Sequence, residues 1–137
     1  VGAGSGYGAA LAREIVGKGG LVVTIEIDEK TYEFAKENLE KTGCGDIRLI
    51  LGDGSLGYQQ EAPYDKICVT ATCPRVPEPL IHQLGPGGKL AAPIGHPNSI
   101  QSLVLVEKGR DGATKTSIIE EVLYLPLRGK HGWPNHP

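Results

Sequence analysis

Val1-Gly2-Ala3-Gly4-Ser5-Gly6-Tyr7-Gly8 is the stretch that decides the fold. It is a glycine-rich run that leads straight into Ala9, Ala10, Leu11, Ala12, Ile15 and Val16, with Arg13 and Glu14 on the opposite face. That spacing predicts an amphipathic helix over residues 9–16. Gly17-Lys18-Gly19-Gly20 stops the helix and turns the chain. Residues 21–27 are then a short, apolar, β-branched run, the pattern of a strand buried on both faces. Loop, helix and strand in this order describe a ligand cradle at the edge of a parallel sheet. Glycines let backbone approach a ligand closely, and the helix N-terminus behind them favours anionic groups.

The alternation continues outward from the cradle. Asp28 is placed to cap a helix over about residues 29–42, in which Tyr32, Ala35, Asn38 and Leu39 fall near helical spacing and which Gly43 ends. Residues 47–51 read as a second strand, followed by Gly52-Asp53-Gly54-Ser55 as a tight loop. Residues 66–70 read as a third strand and 77–84 as a short helix opened by prolines. Gly85-Pro86-Gly87-Gly88 is predicted to turn the chain into a fourth strand, 89–94. Residues 102–107, a turn at 109–112 and one or two strands within 116–126 complete the pattern. The tail from Arg128 is polar, with Trp133 as its one large apolar residue. The prediction is a doubly wound, Rossmann-like, mostly parallel α/β sheet with an antiparallel C-terminal hairpin, forming a single domain over residues 1–137.

Composition narrows the classes. Apolar residues make up 39% of 137, adequate for one core. A net charge of −2 and a pI near 6.1 leave no basic footprint, so nucleic acid is not an expected partner. No apolar run is long enough to span a bilayer and no signal peptide is evident, so no membrane partner and a cytoplasmic location are expected. Cys44, Cys68 and Cys73 form an odd set without metal-type pairs, which reads as reduced thiols. His131 and His136 lack an evident third ligand, so no metal is expected.

Three polar clusters sit at predicted strand ends, where ligands bind in such sheets. The glycine loop is the first; Gly4-Ser5-Gly6-Tyr7-Gly8-Ala9 also satisfies a dinucleotide-type pattern. Glu26 is the second: about 20 residues beyond the loop, it can accept both hydroxyl hydrogens of an adenosine ribose. Asp53, between two glycines, is the third and can accept from an adenine amino group. Two acids on successive strand ends beside one glycine loop fit S-adenosylmethionine better than a dinucleotide, because a sulfonium cofactor has no pyrophosphate to repel. An NAD-dependent oxidoreductase and a non-catalytic fragment are the alternatives.

At this point a resemblance enters. Val-Gly-Ala-Gly-Ser-Gly-Tyr, Val-Thr-Ile-Glu, Gly-Asp-Gly-Ser-Leu-Gly-Tyr, Ala-Pro-Tyr-Asp-Lys-Ile and Gln-Leu-Gly-Pro-Gly-Gly-Lys-Leu resemble the class I methyltransferase series. Thr70-Ala71-Thr72-Cys73-Pro74, Val76-Pro77-Glu78-Pro79-Leu80 and the run from Leu125 to Trp133 resemble one branch, the protein-L-isoaspartate (D-aspartate) O-methyltransferases. The resemblance implies S-adenosylmethionine as cofactor, S-adenosylhomocysteine as product, and isoaspartyl-containing peptides and proteins as substrates. It places Gly2, Ala3, Gly4, Ser5, Gly6 and Tyr7 along the cofactor's methionine and ribose, with Glu26 and Ile27 at the ribose and Asp53 and Gly54 at the adenine. Thr70 would lie near the methyl group, and Ala71, Pro126 and Leu127 beside the substrate peptide. No residue is expected to act as catalytic acid or base. The family carries an acid and a strand before the position of Val1, so the chain reads as a C-terminal portion. The intact enzyme is expected to be a monomer, and this portion to be prone to self-association through the unpaired edge that a missing strand leaves.

Overall fold

Backbone hydrogen bonding carries the polypeptide through alternating helices and strands and then into an antiparallel hairpin, the α/β architecture predicted. The computed structural model describes residues 1–134. Cα packing divides the chain into two compact units, residues 2–54 and Val1 with the residues from Ser55 onward. The predicted sheet is paired as two, one in each unit: a two-stranded sheet and a four-stranded sheet.

The first unit is built on α1 (Tyr7–Val16), β1 (Val23–Glu26), α2 (Glu29–Lys41) and β2 (Arg48–Leu51). Helix α1 begins two residues earlier than predicted. Gly6 enters it with φ of +89°, and Ser5 Oγ accepts the Tyr7 amide at 3.3 Å. Gly6 also has to be small, because a Cβ there would lie 3.1 Å from Leu39 Cγ. Asp28 caps α2 as predicted, its Oδ2 accepting both the amide and the hydroxyl of Thr31 at 2.9 Å. Strands β1 and β2 run parallel in the register Val23↔Arg48 to Glu26↔Leu51. Only the middle of the predicted first strand is buried. Leu21 and Ile27, at 51% and 36% exposure, flank a core of Thr24, Ile25 and Glu26. Ala9, Leu39, Cys44 and Ile47 form the small apolar cluster of this unit.

The second unit carries β3 (Tyr64–Cys68), α3 (Glu78–Gln83), β4 (Leu84–Ile94), β5 (Gln101–Lys108) and β6 (Thr114–Val122), with strand order β3-β4-β5-β6. Pairing is parallel between β3 and β4 and antiparallel thereafter. Gly85-Pro86-Gly87-Gly88, expected as a turn, lies inside β4. Between the pairs Tyr64↔Leu84 and Lys66↔Lys89, β3 advances two residues while β4 advances five, so the glycines are taken up as a bulge. A Cβ on Gly88 would come within 2.8 Å of the Gly85 carbonyl oxygen, so the bulge closes too tightly for a side chain. Strand β3 also lies two residues earlier than predicted, although the Thr70 amide still donates to Val1 O at 3.0 Å. Lys108 Nζ donates to the carbonyls of Ile81 and Leu84 at 3.0 and 2.8 Å, placing a cation at the C-terminal end of α3.

One face of β4 and β5 supplies Leu90, Ala92, Val104 and Val106 to the main core, joined by Val69, Cys73, Leu80, Leu84 and Leu127. Cys73 is fully buried, and burial pushes its thiol up to about 12. The folded chain therefore holds this proton after the unfolded chain has released it. The associated stability is complete below pH ~9 and is lost as pH rises toward the folded value. Urea titrations from pH 8 to 11 are expected to show a steeper alkaline decline for the native chain than for Cys73→Ala. Equal slopes would show that Cys73 does not carry it.

Among the described residues, no helix is long and apolar enough to cross a membrane, and no group of three or more His, Cys, Asp and Glu side chains could hold a metal ion. His136, weighed with His131 as a ligand, lies outside the described residues. Trp133 docks the tail as an apolar anchor: its amide donates to Leu127 O at 2.9 Å and its ring meets His96 edge-on at 5.2 Å.

Candidate cofactor and substrate sites

Strand register places the acidic site residues together. Glu26 is the last residue of β1 and is paired with Leu51, the last of β2, so Asp53 stands two residues beyond the same end of the parallel pair. The Gly52 amide donates to the Glu26 carbonyl at 2.9 Å and ties the Asp53 loop to the end of β1. Gly2 and Ala3 both donate their amides to the Ile25 carbonyl, at 2.9 and 3.2 Å, which brings the glycine loop to that same strand end. Loop, Glu26 and Asp53 thus converge within the first unit, the side where a parallel sheet receives ligands.

The Glu26 carboxylate has a job that the sequence does not display. It is only 8% exposed, and its Oε2 accepts the Gly4 amide at 3.1 Å while Oε1 accepts those of Ile27 and Asp28 at 3.0 and 3.1 Å. A carboxylate offers about four lone-pair directions. Three are thus spent on shaping the loop and strand end, leaving about one toward a ligand. Asn38 holds the loop from the other side, its Nδ2 donating to Ser5 O at 2.9 Å. Helical spacing made Asn38 look like a packing position; the available hint was an amide in a helix interior, where asparagine is a weak former. Between these two holds Gly4 is exposed, has φ of +55°, and would meet nothing within 4 Å if given a Cβ, so its backbone borders open space. Ser5 and Tyr7 are exposed, Gly2 and Asp53 half-buried, and Ala3, Gly6 and Gly54 buried. Ile27 is exposed immediately beyond Glu26. With a second acid beside it, the Glu26 carboxylate has about one acceptor direction left for a ligand hydroxyl, not the two expected from the sequence, because the Gly4, Ile27 and Asp28 amides take the others.

The predicted substrate residues lie in the second unit. Thr72 joins the segment around Pro126 as a parallel bridge: its amide donates to Leu125 O at 2.8 Å and its carbonyl accepts the Leu127 amide at 2.9 Å. Ala71 and Pro126, both half-buried, are brought together by this pairing. Leu127 is 5% exposed and belongs to the core, and its amide and carbonyl are both engaged, so it supports this border from beneath. Thr70 is exposed, and its amide and hydroxyl both donate to Val1 O.

The sequence model of the family described as protein-L-isoaspartate(D-aspartate) O-methyltransferase matches residues 1–132. The chain belongs to this family. Family relatives include the protein-L-isoaspartate O-methyltransferases of Aeropyrum pernix, 48% identical over 97% of this chain and 51% of that protein, and of Pyrococcus horikoshii, 48% identical over 97% of this chain and 60% of that protein. The chain therefore spans between half and three-fifths of these relatives' length. A solved protein-L-isoaspartate O-methyltransferase superposes with a TM-score of 0.87 at 34% identity, covering 96% of this chain and 41% of that one. A second, from Plasmodium falciparum and in complex with S-adenosyl-L-homocysteine, gives 0.76 at 23% identity over 93% of this chain and 63% of that one, a likeness of fold. The family's Rossmann-like α/β fold is thus the one seen here.

Proposed function

We propose that this chain, as one domain, binds S-adenosylmethionine and takes part in methyl transfer to the free carboxylate of L-isoaspartyl and D-aspartyl residues in damaged proteins. Convergence at one strand end carries the reading: Glu26 clamps the glycine loop through the Gly4 amide while Gly52 holds the Asp53 loop against the same residue. When bound, S-adenosylmethionine supplies a methyl group on a sulfonium and leaves as S-adenosylhomocysteine. The chain's own part is to seat and orient it. The loop from Gly2 to Tyr7 follows the methionine and ribose, Glu26 with Ile27 receives the ribose, and Asp53 with Gly54 receives the adenine. The resemblance assigns Thr70 to the methyl group and Ala71, Pro126 and Leu127 to the peptide, Leu127 from within the core.

The attacking carboxylate is already ionised near neutral pH, so no general base is required of the protein. Alignment and exclusion of water are its catalytic means. The free cysteines fit a reducing compartment, in keeping with action in the cytoplasm on protein substrates. The alternative nicotinamide reading leaves Asp53 without a task.

Calorimetric titration with S-adenosylhomocysteine and with NAD separates the two. Saturable binding of S-adenosylhomocysteine is expected, together with labelled methyl transfer to a synthetic isoaspartyl peptide and none to its aspartyl counterpart. Binding of NAD alone would overturn the reading.

A further inference from the structure

Gln101 is a polar side chain with only 1% of its surface exposed. It opens β5 opposite Val122, the last residue of β6, so the chain beyond it has left the regular ladder. There the side-chain amide substitutes for a strand. Its Oε1 accepts the Tyr124 amide at 2.7 Å, and its Nε2 donates to Tyr124 O at 3.2 Å and to His96 O at 3.4 Å. One residue further on, Thr72 takes over through Leu125 O and the Leu127 amide. The Thr72 hydroxyl is locked onto Gly95 O at 2.8 Å. Two buried polar residues from different parts of the unit thus hold residues 124–127 in one register, while the Leu125 side chain stands 82% exposed. Beyond the β5–β6 ladder, this segment is placed by the Gln101 side chain and by the single backbone bridge of Thr72 to Pro126.

We propose that Gln101 is a positioning residue for substrate: by holding Tyr124 it sets where Leu125 and Pro126 are presented to the isoaspartyl peptide. This rests on the reading of Ala71, Pro126 and Leu127 as the peptide border. An apolar residue of equal length at position 101 leaves the Tyr124 amide and carbonyl without their partner and frees the segment to shift. The cofactor residues from Gly2 to Gly54 take no hydrogen bond from Gln101, so cofactor affinity should not follow.

The test uses the full chain and two titrations, with S-adenosylhomocysteine alone and then, at saturation, with an isoaspartyl peptide and its aspartyl counterpart. Gln101→Met, which removes all three hydrogen bonds of the side-chain amide, is expected to weaken the isoaspartyl peptide by about tenfold or more and to change S-adenosylhomocysteine affinity by less than about twofold. Amide exchange at Tyr124 and Leu127 should quicken in the same variant. A merely structural role would lower both affinities together. If Gln101→Met does not fold, Gln101→Glu, which keeps the acceptor for the Tyr124 amide but loses the donor to Tyr124 O and His96 O, carries the same comparison with a smaller but measurable loss of peptide affinity. Unchanged peptide affinity in either variant, with the native chain discriminating between the peptides, overturns the positioning role alone. A native chain that binds S-adenosylhomocysteine without discriminating overturns the substrate reading, and the positioning role with it.

Discussion

Glu26→Ala is expected to lower S-adenosylhomocysteine affinity by about 100-fold or more in a calorimetric titration. Two losses combine. A hydrogen bond between a hydroxyl and a charged acceptor is worth about 1.5–3 kcal/mol. The second loss is of the loop itself. Without the carboxylate, the Gly4, Ile27 and Asp28 amides lose their shared acceptor, and the ordered bend must be formed at the moment of binding. A combined cost of about 3–4 kcal/mol corresponds to two or three orders of magnitude in affinity.

Glu26→Gln separates the two jobs. It keeps one acceptor oxygen but turns an amide donor toward backbone donors, so an intermediate loss of about tenfold is expected, since one bond rather than several is removed. Far-UV circular dichroism checks that β1 and α2 persist. Native affinity in Glu26→Ala would place the ribose elsewhere and remove the basis for the cofactor assignment.

Local rules carried far along this chain. A glycine run ahead of an alanine-rich stripe, Asp28 ahead of a helical period, and Gly43 after it each state a local preference that tertiary packing leaves intact, and those elements stand within two residues of expectation. Gly85 to Gly88 shows where local preference loses. Glycine and proline mark a turn only when no partner strand competes, and here β3 supplies one, so the chain bulges and stays in the sheet.

The site divides along the same line. The convergence of Glu26 and Asp53 at one strand end was legible because spacing from a glycine loop is a property of the chain. The carboxylate's grip on the Gly4 amide, Asn38 on Ser5 and Gln101 on Tyr124 are legible only once distant backbone groups are placed, the last across 23 positions. A buried polar residue declares itself in sequence only as an exception to periodicity, and one exception in a strand or helix has no direction attached to it.

Leu90→Ala should bring the largest loss of stability, about 3–5 kcal/mol in a urea titration, against a total of about 5–15 kcal/mol for a domain. Leu90 is fully buried at the centre of β4, in register with Ile67 on β3 and Val106 on β5, which itself is 1% exposed. Truncation there opens a cavity whose walls are hydrogen-bonded strands and cannot collapse readily, which puts the cost in the upper part of the usual range. Leu105 supplies the control. It is paired with Ala91 on the opposite, half-buried face, so Leu105→Ala should cost about half as much or less, in proportion to the apolar area it withdraws from water. Equal losses would mean that the two faces are packed alike and that the core is not where Leu90, Ala92, Val104 and Val106 put it. Leu127 belongs to the same cluster, and its backbone pairs with Thr72 beneath the border proposed above for the peptide. Loosening Leu90 therefore loosens the floor of that border, and Leu90→Ala, where it remains folded, should weaken isoaspartyl peptide binding although Leu90 is itself fully buried.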